Sequence, residues 1–255
     1  MNRLGKALRW TLGSLLLIGC QAGPIPESAE PQNVSRLAEL YTQLGIGYLR
    51  EGKYDIASRR LNRALELEPK YATAHHAMAL LQEQLSRPKE SELHYRRAIE
   101  LDPTDSEALN NYGRFLCAQE RLDEAETHFL QAVANPLYET PQAAFSNAGV
   151  CLFQAGDLDR AETYLRRALQ ADPKLPTALL TMAELSLTKQ RPLPARAYLQ
   201  RYLEGAPHSP RSLWLGIQVE RELGDRSAAS SYALLLKANY PDAQETRLLL
   251  ESEQQ

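Results

Sequence analysis

Proline recurs along this chain at a fixed interval. Pro69, Pro103, Pro173, Pro207 and Pro241 are separated by 34, 70, 34 and 34 residues. The 70 resolves into one unit of 36 and one of 34, with the two extra residues in Asn135–Pro141. A period of this size means a stack of like units rather than one closed core. Frames begun at Ala38, Ala72, Ser106, Gln142, Pro176 and Pro210 align the small residues. Frame position 8 holds Gly45, Ala79, Gly113, Gly149 and Ala183, and position 20 holds Ala57, Ser91, Ala125, Ala161, Ala195 and Ala229. Position 24 is large in the first five frames (Leu61, Tyr95, Phe129, Leu165, Leu199), and position 27 is Ala in the first four (Ala64, Ala98, Ala132, Ala168). Each frame holds two apolar-periodic segments of about 13 residues, a helical length. Leu, Ala, Glu and Arg dominate, all good helix formers, while 4 Phe and 13 Gly are a thin supply for a β-rich fold. Small residues at 8 and 20 allow close helix approach, and the large residue at 24 fills the next layer. Proline near each frame's end closes the second helix. Gly52, Gly156 and Gly224 fall between the two helices, where a turn is needed.

This pattern resembles the tetratricopeptide repeat (TPR), which places small residues at 8, 20 and 27 and Pro at 32. The resemblance implies an all-α, right-handed superhelical solenoid of about six helix-turn-helix repeats over residues 37–241. Residues 242–255 would be a capping helix and tail, with Leu248, Leu249 and Leu250 on it. The sixth frame departs: Gly216 is at position 7, Ile217 at 8 and Ala233 at 24, so its register stays open.

The N-terminus follows a different logic. Arg3, Lys6 and Arg9 precede an uncharged, mostly apolar run from Trp10 to Gly19, and no acidic residue occurs before Glu27. This is the layout of a secretory signal. Leu17-Ile18-Gly19-Cys20 resembles the lipobox of bacterial lipoproteins. That resemblance implies a signal peptide over 1–19, S-diacylglycerol and N-acyl groups on Cys20, and a mature chain that begins there. The formal charge would move from -3 to -6 as three basic residues leave. Gln21 in place of Asp implies sorting to the outer membrane, on its periplasmic face. Residues 20–36, with three prolines among 21–36 and little apolar content, read as the lipidated cysteine and a tether.

The chain carries 29 Lys+Arg against 32 Asp+Glu, so there is no basic excess for nucleic acid. No apolar run reaches the roughly 18 residues of a membrane span. No HExxH, CxxC, GxSxG or phosphate-binding glycine loop occurs. The expectation is a protein that binds protein, with no catalytic residues, metal, cofactor or small-molecule substrate. His75 takes the large position 4 of repeat two, a packing place, and His76 at position 5 faces the groove.

In TPR proteins the first helices line a concave groove through positions 2, 5, 9, 12 and 13. Carried over residue by residue, those positions provide an apolar line of Ile46, Leu49, Leu80, Val150, Phe153, Leu180 and Leu187. An exposed apolar groove means a partner; the alternative for each residue is burial between repeats. The Lys, Asn and Arg clamp of chaperone-binding members is absent, since Thr42 and Ile46 stand at positions 5 and 9 of repeat one. Asn111 and Asn147 share position 6 and could be rungs that hold a peptide backbone, or could serve packing. Cys117 and Cys151 lie on neighbouring first helices, 34 residues apart. They are read either as a disulfide, in an oxidising periplasm, or as two buried thiols.

A lipobox, a short tether, about six repeats and no other domain together resemble the type IV pilus pilotin lipoproteins of the PilF/PilW kind. The resemblance implies an outer-membrane lipoprotein that binds the pilus secretin and promotes its outer-membrane localisation and multimerisation. The alternative is a TPR lipoprotein scaffold for cell-wall enzymes or for outer-membrane protein assembly.

Overall fold

The computed structural model describes residues 31–253. The signal segment, Cys20 and residues 21–30 lie outside the described residues. Thirteen helices and no strand occur among the described residues. Twelve form six pairs: α1 (Pro31–Arg50) with α2 (Tyr54–Leu67), α3 (Ala72–Gln84) with α4 (Pro88–Leu101), α5 (Ser106–Ala118) with α6 (Leu122–Ala134), α7 (Pro141–Gln154) with α8 (Leu158–Ala171), α9 (Pro176–Thr188) with α10 (Pro192–Leu203), and α11 (Pro210–Glu222) with α12 (Arg226–Asn239). The thirteenth, α13 (Gln244–Glu253), closes the chain. The second helix of each pair packs on the first helix of the next, so each repeat touches only its neighbours.

Small residues set the approach within each pair. A Cβ added at Gly149 would lie 2.6 Å from Leu165 Cγ and 3.1 Å from the Leu165 backbone nitrogen. In repeat two Ala79 replaces the glycine, and buried Ser91 donates from Oγ to the Ala79 carbonyl at 3.0 Å. In repeat six the same contact is made by Gly216, whose added Cβ would sit 2.9 Å from Tyr232 Cδ2. Both partners stand one position earlier than in the other frames. That settles the open register: the close contact moves by one residue on both helices together, while α11 still begins at Pro210.

The turn inside every repeat uses a residue at positive φ. Glycine fills it at Gly52, Gly156 and Gly224, and Ser86, Glu120 and Gln190 fill it in the other three repeats, at φ 56, 59 and 56. Aspartates at Asp105, Asp157 and Asp225 cap α5, α8 and α12, and Ser209 and Ser212 form a capping box at α11. The two inserted residues fall in the segment 135–140. There Asn135 Nδ2 donates to the Thr104 carbonyl at 3.1 Å, and Asn135 Oδ1 accepts from the Leu137 N–H at 3.0 Å.

One boundary differs from expectation. The expected tether ran to residue 36, but α1 begins at Pro31, so residues 31–36 belong to the solenoid. Pro31 read as a linker residue; at a helix start its missing N–H costs nothing. At the other end α13 packs on α11 and α12, the place a seventh first helix would take. It buries Leu249 beside Leu213, Ile217 and Leu236.

Candidate functional site

The first helices of successive repeats form one continuous surface, and the residues singled out on it divide into three kinds. Ile46 and Leu49 are half-buried against Leu61, Met78 and Leu81. Leu80, Phe153 and Leu187 are half-buried on the main core, and Val150 is half-buried as well. These six keep part of their apolar surface in water. Leu180 does not: it is only 8% exposed and lies within the main core. Leu180 is therefore removed from the expected groove and assigned to the core.

The two asparagines make bonds between repeats. Asn111 Nδ2 lies 3.0 Å from His76 Nε2, joining α5 to α3, and Asn147 Nδ2 donates to Asn110 Oδ1 at 3.0 Å, joining α7 to α5. Asn110 is buried and Asn147 half-buried. Each amide nitrogen thus has a bond inside the protein, and what Asn111 and Asn147 retain for a ligand is chiefly their carbonyl oxygens. The other ring nitrogen of His76, Nδ1, lies 3.7 Å from Asp105 Oδ2. Burial alone would raise the Asp105 pKa, but the neighbouring His76 ring and the hydrogen bond from the Ala108 N–H outweigh it and hold the carboxyl below its usual range. Next to these groups Ser146 is buried, and its Oγ has no partner within the protein.

Charged pairs border the apolar line. Arg114 reaches Glu83 at 3.4 Å, and the Tyr95 hydroxyl donates to the same carboxylate. Arg211 of repeat six pairs with Glu184 of repeat five. Cys117 on α5 and Cys151 on α7 are joined: their Sγ atoms are 2.11 Å apart and their Cα atoms 5.9 Å apart. The pair opens on a cleft of about 500 Å³ lined also by Ala118, Leu122 and Gln154.

One part of the surface was missed in the sequence. A cleft of about 550 Å³ lies where α9 meets α11, lined by Leu187, Pro192, Trp214, Gln218, Arg221 and Glu222. Trp214 presents a half-buried ring there, backed by Leu213 and Leu236. The expected groove stopped at repeat five because the sixth register was open. With Gly216 taking the position-8 contact, Trp214 falls at position 6, the place Asn111 and Asn147 hold in repeats three and four, and that was the available signal.

Models of the tetratricopeptide repeat match residues 42–106 and 116–176, 94–127, and 152–216. The type IV pilus assembly protein PilF of Pseudomonas aeruginosa is 36% identical over 207 residues, which cover 81% of this chain and 82% of that protein. A solved structure of Pseudomonas aeruginosa PilF aligns at TM-score 0.78 with 34% identity, over 86% of this chain and 99% of the other. That of PilW, described as a widely conserved type IV pilus biogenesis factor, aligns at TM-score 0.79 with 31% identity, over 84% and 99%.

Proposed function

We propose, from the premise that this chain belongs to the PilF/PilW family of type IV pilus biogenesis factors, that it is an outer-membrane lipoprotein that grips a segment of the pilus secretin. Membership makes it a TPR protein of pilus biogenesis; the anchor, the membrane and the partner are our reading. One observation carries the binding mode: six apolar side chains, from Ile46 and Leu49 to Phe153 and Leu187, remain half-exposed along the first helices. A half-buried row of this kind offers a partner apolar area while leaving the stack intact. The lipobox at residues 17–20 supports the anchor. The acylated Cys20 would place the groove beside the periplasmic face of the outer membrane, where secretin subunits assemble.

The test is paired substitution. Leu49→Glu and Leu80→Glu each put a charge into an apolar contact, which is costly when a partner covers it. Both variants should keep their helical circular dichroism with a modest drop in thermal midpoint. Secretin recovered with the full-length lipoprotein should fall at least tenfold, roughly 1.4 kcal/mol or more. Heat-resistant secretin multimers in membranes should fall with it. Folded variants that still support normal multimers would move docking away from this row. Recovery of peptidoglycan enzymes in place of secretin would favour the scaffold reading.

A further inference from the structure

We propose that the cleft between repeats five and six binds a neutral pyranose sugar, one ring of a glycan chain, against Trp214. The cleft is one of a series along the turn edge of the solenoid. Positions 12, 15 and 17 of one repeat and 10, 13 and 14 of the next line it each time. Between repeats three and four these are Cys117, Glu120 and Leu122 with Cys151, Gln154 and Ala155. Between five and six, with the one-residue shift of α11, they are Leu187, Gln190 and Pro192 with Gln218, Arg221 and Glu222. Trp214 is the addition that sets this cleft apart.

Its lining has two parts. Trp214, Leu187 and Pro192 give an apolar wall, and the indole is held from behind by the cluster of Leu213 and Leu236. A ring fixed in place before the ligand arrives costs little to order on binding. Around it stand four polar side chains. Gln190 and Glu222 are exposed and Gln218 half-buried, and none of the three is tied to another side chain among the described residues. Arg221 reaches only Ser252, at 3.2 Å, and has no carboxylate partner among those residues. Gln190 keeps its side chain at the rim from a backbone φ of 56, where Gly52, Gly156 and Gly224 stand in other repeats.

This combination selects the ligand. A pyranose has a face of C–H groups and a rim of hydroxyls that both donate and accept. The negative face of an indole suits the C–H groups. Carboxamides donate and accept, the guanidinium donates and the carboxylate accepts, so the rim answers hydroxyls of either sense. Arg221 and Glu222 cancel in charge, which favours a neutral ligand over an anion or a cation. A purely apolar side chain of a partner would strip water from four polar groups and return no hydrogen bond, which is costly. The volume, about 550 Å³, is that of a small-ligand pocket. On the periplasmic reading above, the glycan within reach would be that of the cell wall; the binding test does not rest on that reading.

Tryptophan emission reads the site, because Trp10 is the only other tryptophan in the sequence. The purified full chain is titrated with the trisaccharide of N-acetylglucosamine and, separately, with cellotriose. A saturable shift of the emission and reduced quenching by acrylamide are expected with at least one of them, and the tighter of the two tells whether an acetamido group is read. Gln218→Ala and Arg221→Ala keep the fluorophore and should each weaken binding by about tenfold, while Gln131→Ala on α6 should not. Trp214→Ala should abolish binding, followed by calorimetry, with circular dichroism as the check on folding. Should that variant fail to fold, the Gln218 and Arg221 variants decide. No saturable change with either sugar, or unchanged affinity in both of those variants, overturns the site. So does a folded Trp214→Ala that loses secretin in a chain that binds neither sugar, since the cleft would then belong to the protein-binding groove. The titration uses the purified protein alone, so its failure leaves the secretin reading standing.

Discussion

Two groups of residues carry local free energy that the repeat pattern alone would not reveal. Ser86, Glu120 and Gln190 hold the positive-φ place of the intra-repeat turn, which glycine fills in the other repeats. A side chain in that conformation costs about 1–2 kcal/mol, and the greater chain entropy of glycine when unfolded takes back up to roughly 1. Gln190→Gly should therefore raise stability by about 0.5–1 kcal/mol, read as a higher urea midpoint with unchanged slope. An unchanged or lower midpoint would mean that the Gln190 side chain makes up the strain. The histidines act in the opposite sense. Burial, as the largest cause, lowers the pKa of His75, His94 and His128 below the ordinary imidazole value, with Arg97 adding to it at His75 and the His75 ring at His94. The unfolded chain titrates them near about 6.5, so below that pH it binds more protons than the folded one. Their contribution is full above about 6.5 and is lost as pH falls through it toward the folded values. The carboxylates act lower: Glu162, hydrogen-bonded by Lys189 and Arg166, is held at about 2, so its contribution is lost as pH falls through the ordinary carboxylate range toward that value. The protein should thus show a falling urea midpoint between roughly pH 7 and 5, with a shallower fall in His128→Gln. A flat midpoint across that window would contradict the burial of these rings.

At the scale of helices the repeat was legible because its cause is steric. Gly149 faces Leu165 at a distance no β-carbon tolerates, and such a constraint recurs in register wherever two helices meet in the same way. The sixth repeat was not legible for the same reason: Gly216 and Tyr232 satisfy the contact one residue early, and a frame fitted to the other repeats misses a shift made on both helices at once. The groove was legible in part. Position along a first helix tells which residues face it, but not how far the neighbouring helices cover each one; Leu180 is buried in the main core, and nothing in a single helix's pattern reports that. The link between α5 and α7 shows the same dependence. Its two cysteines sit at unmatched positions, 12 and 10, yet their Cα atoms come to 5.9 Å. The bond spans 34 residues. On the chain-entropy model its loss costs about 3–4 kcal/mol. Cys117→Ser with Cys151→Ser should lower stability by about that amount while the helical signal persists. Thiol labelling of the denatured, non-reduced protein should find neither cysteine reactive; two reactive thiols would remove the bond.

For the whole molecule, neighbour-only contacts make stability a sum along one dimension, so the ends matter more than in a closed domain. Here the two ends are handled differently. At the C-terminus α13 covers Leu213, Ile217 and Leu236 and closes the stack. At the N-terminal end of the described residues α1 carries Leu37, Leu40 and Leu44 at 40%, 50% and 39% exposure, with no described helix on their outer side. In our reading this is the end joined to the anchor. Ten residues separate Cys20 from Pro31, so even a fully extended chain spans no more than about 40 Å. The groove would then be held within a few nanometres of the membrane, and the acyl groups would set its location without contributing to its fold. Cys20→Ser separates these roles. The variant should leave the outer-membrane fraction, because each buried methylene of a lost acyl chain removes about 0.8 kcal/mol of membrane affinity. Its thermal midpoint should match that of the wild-type chain, since the packing of all six repeats lies beyond residue 30. Pilus assembly should fail through misplaced secretin, even though the released variant still captures secretin in extracts. Wild-type levels in the outer membrane would sink the lipoprotein reading, whereas loss of capture by the folded, released variant would show that the anchor forms part of the binding site.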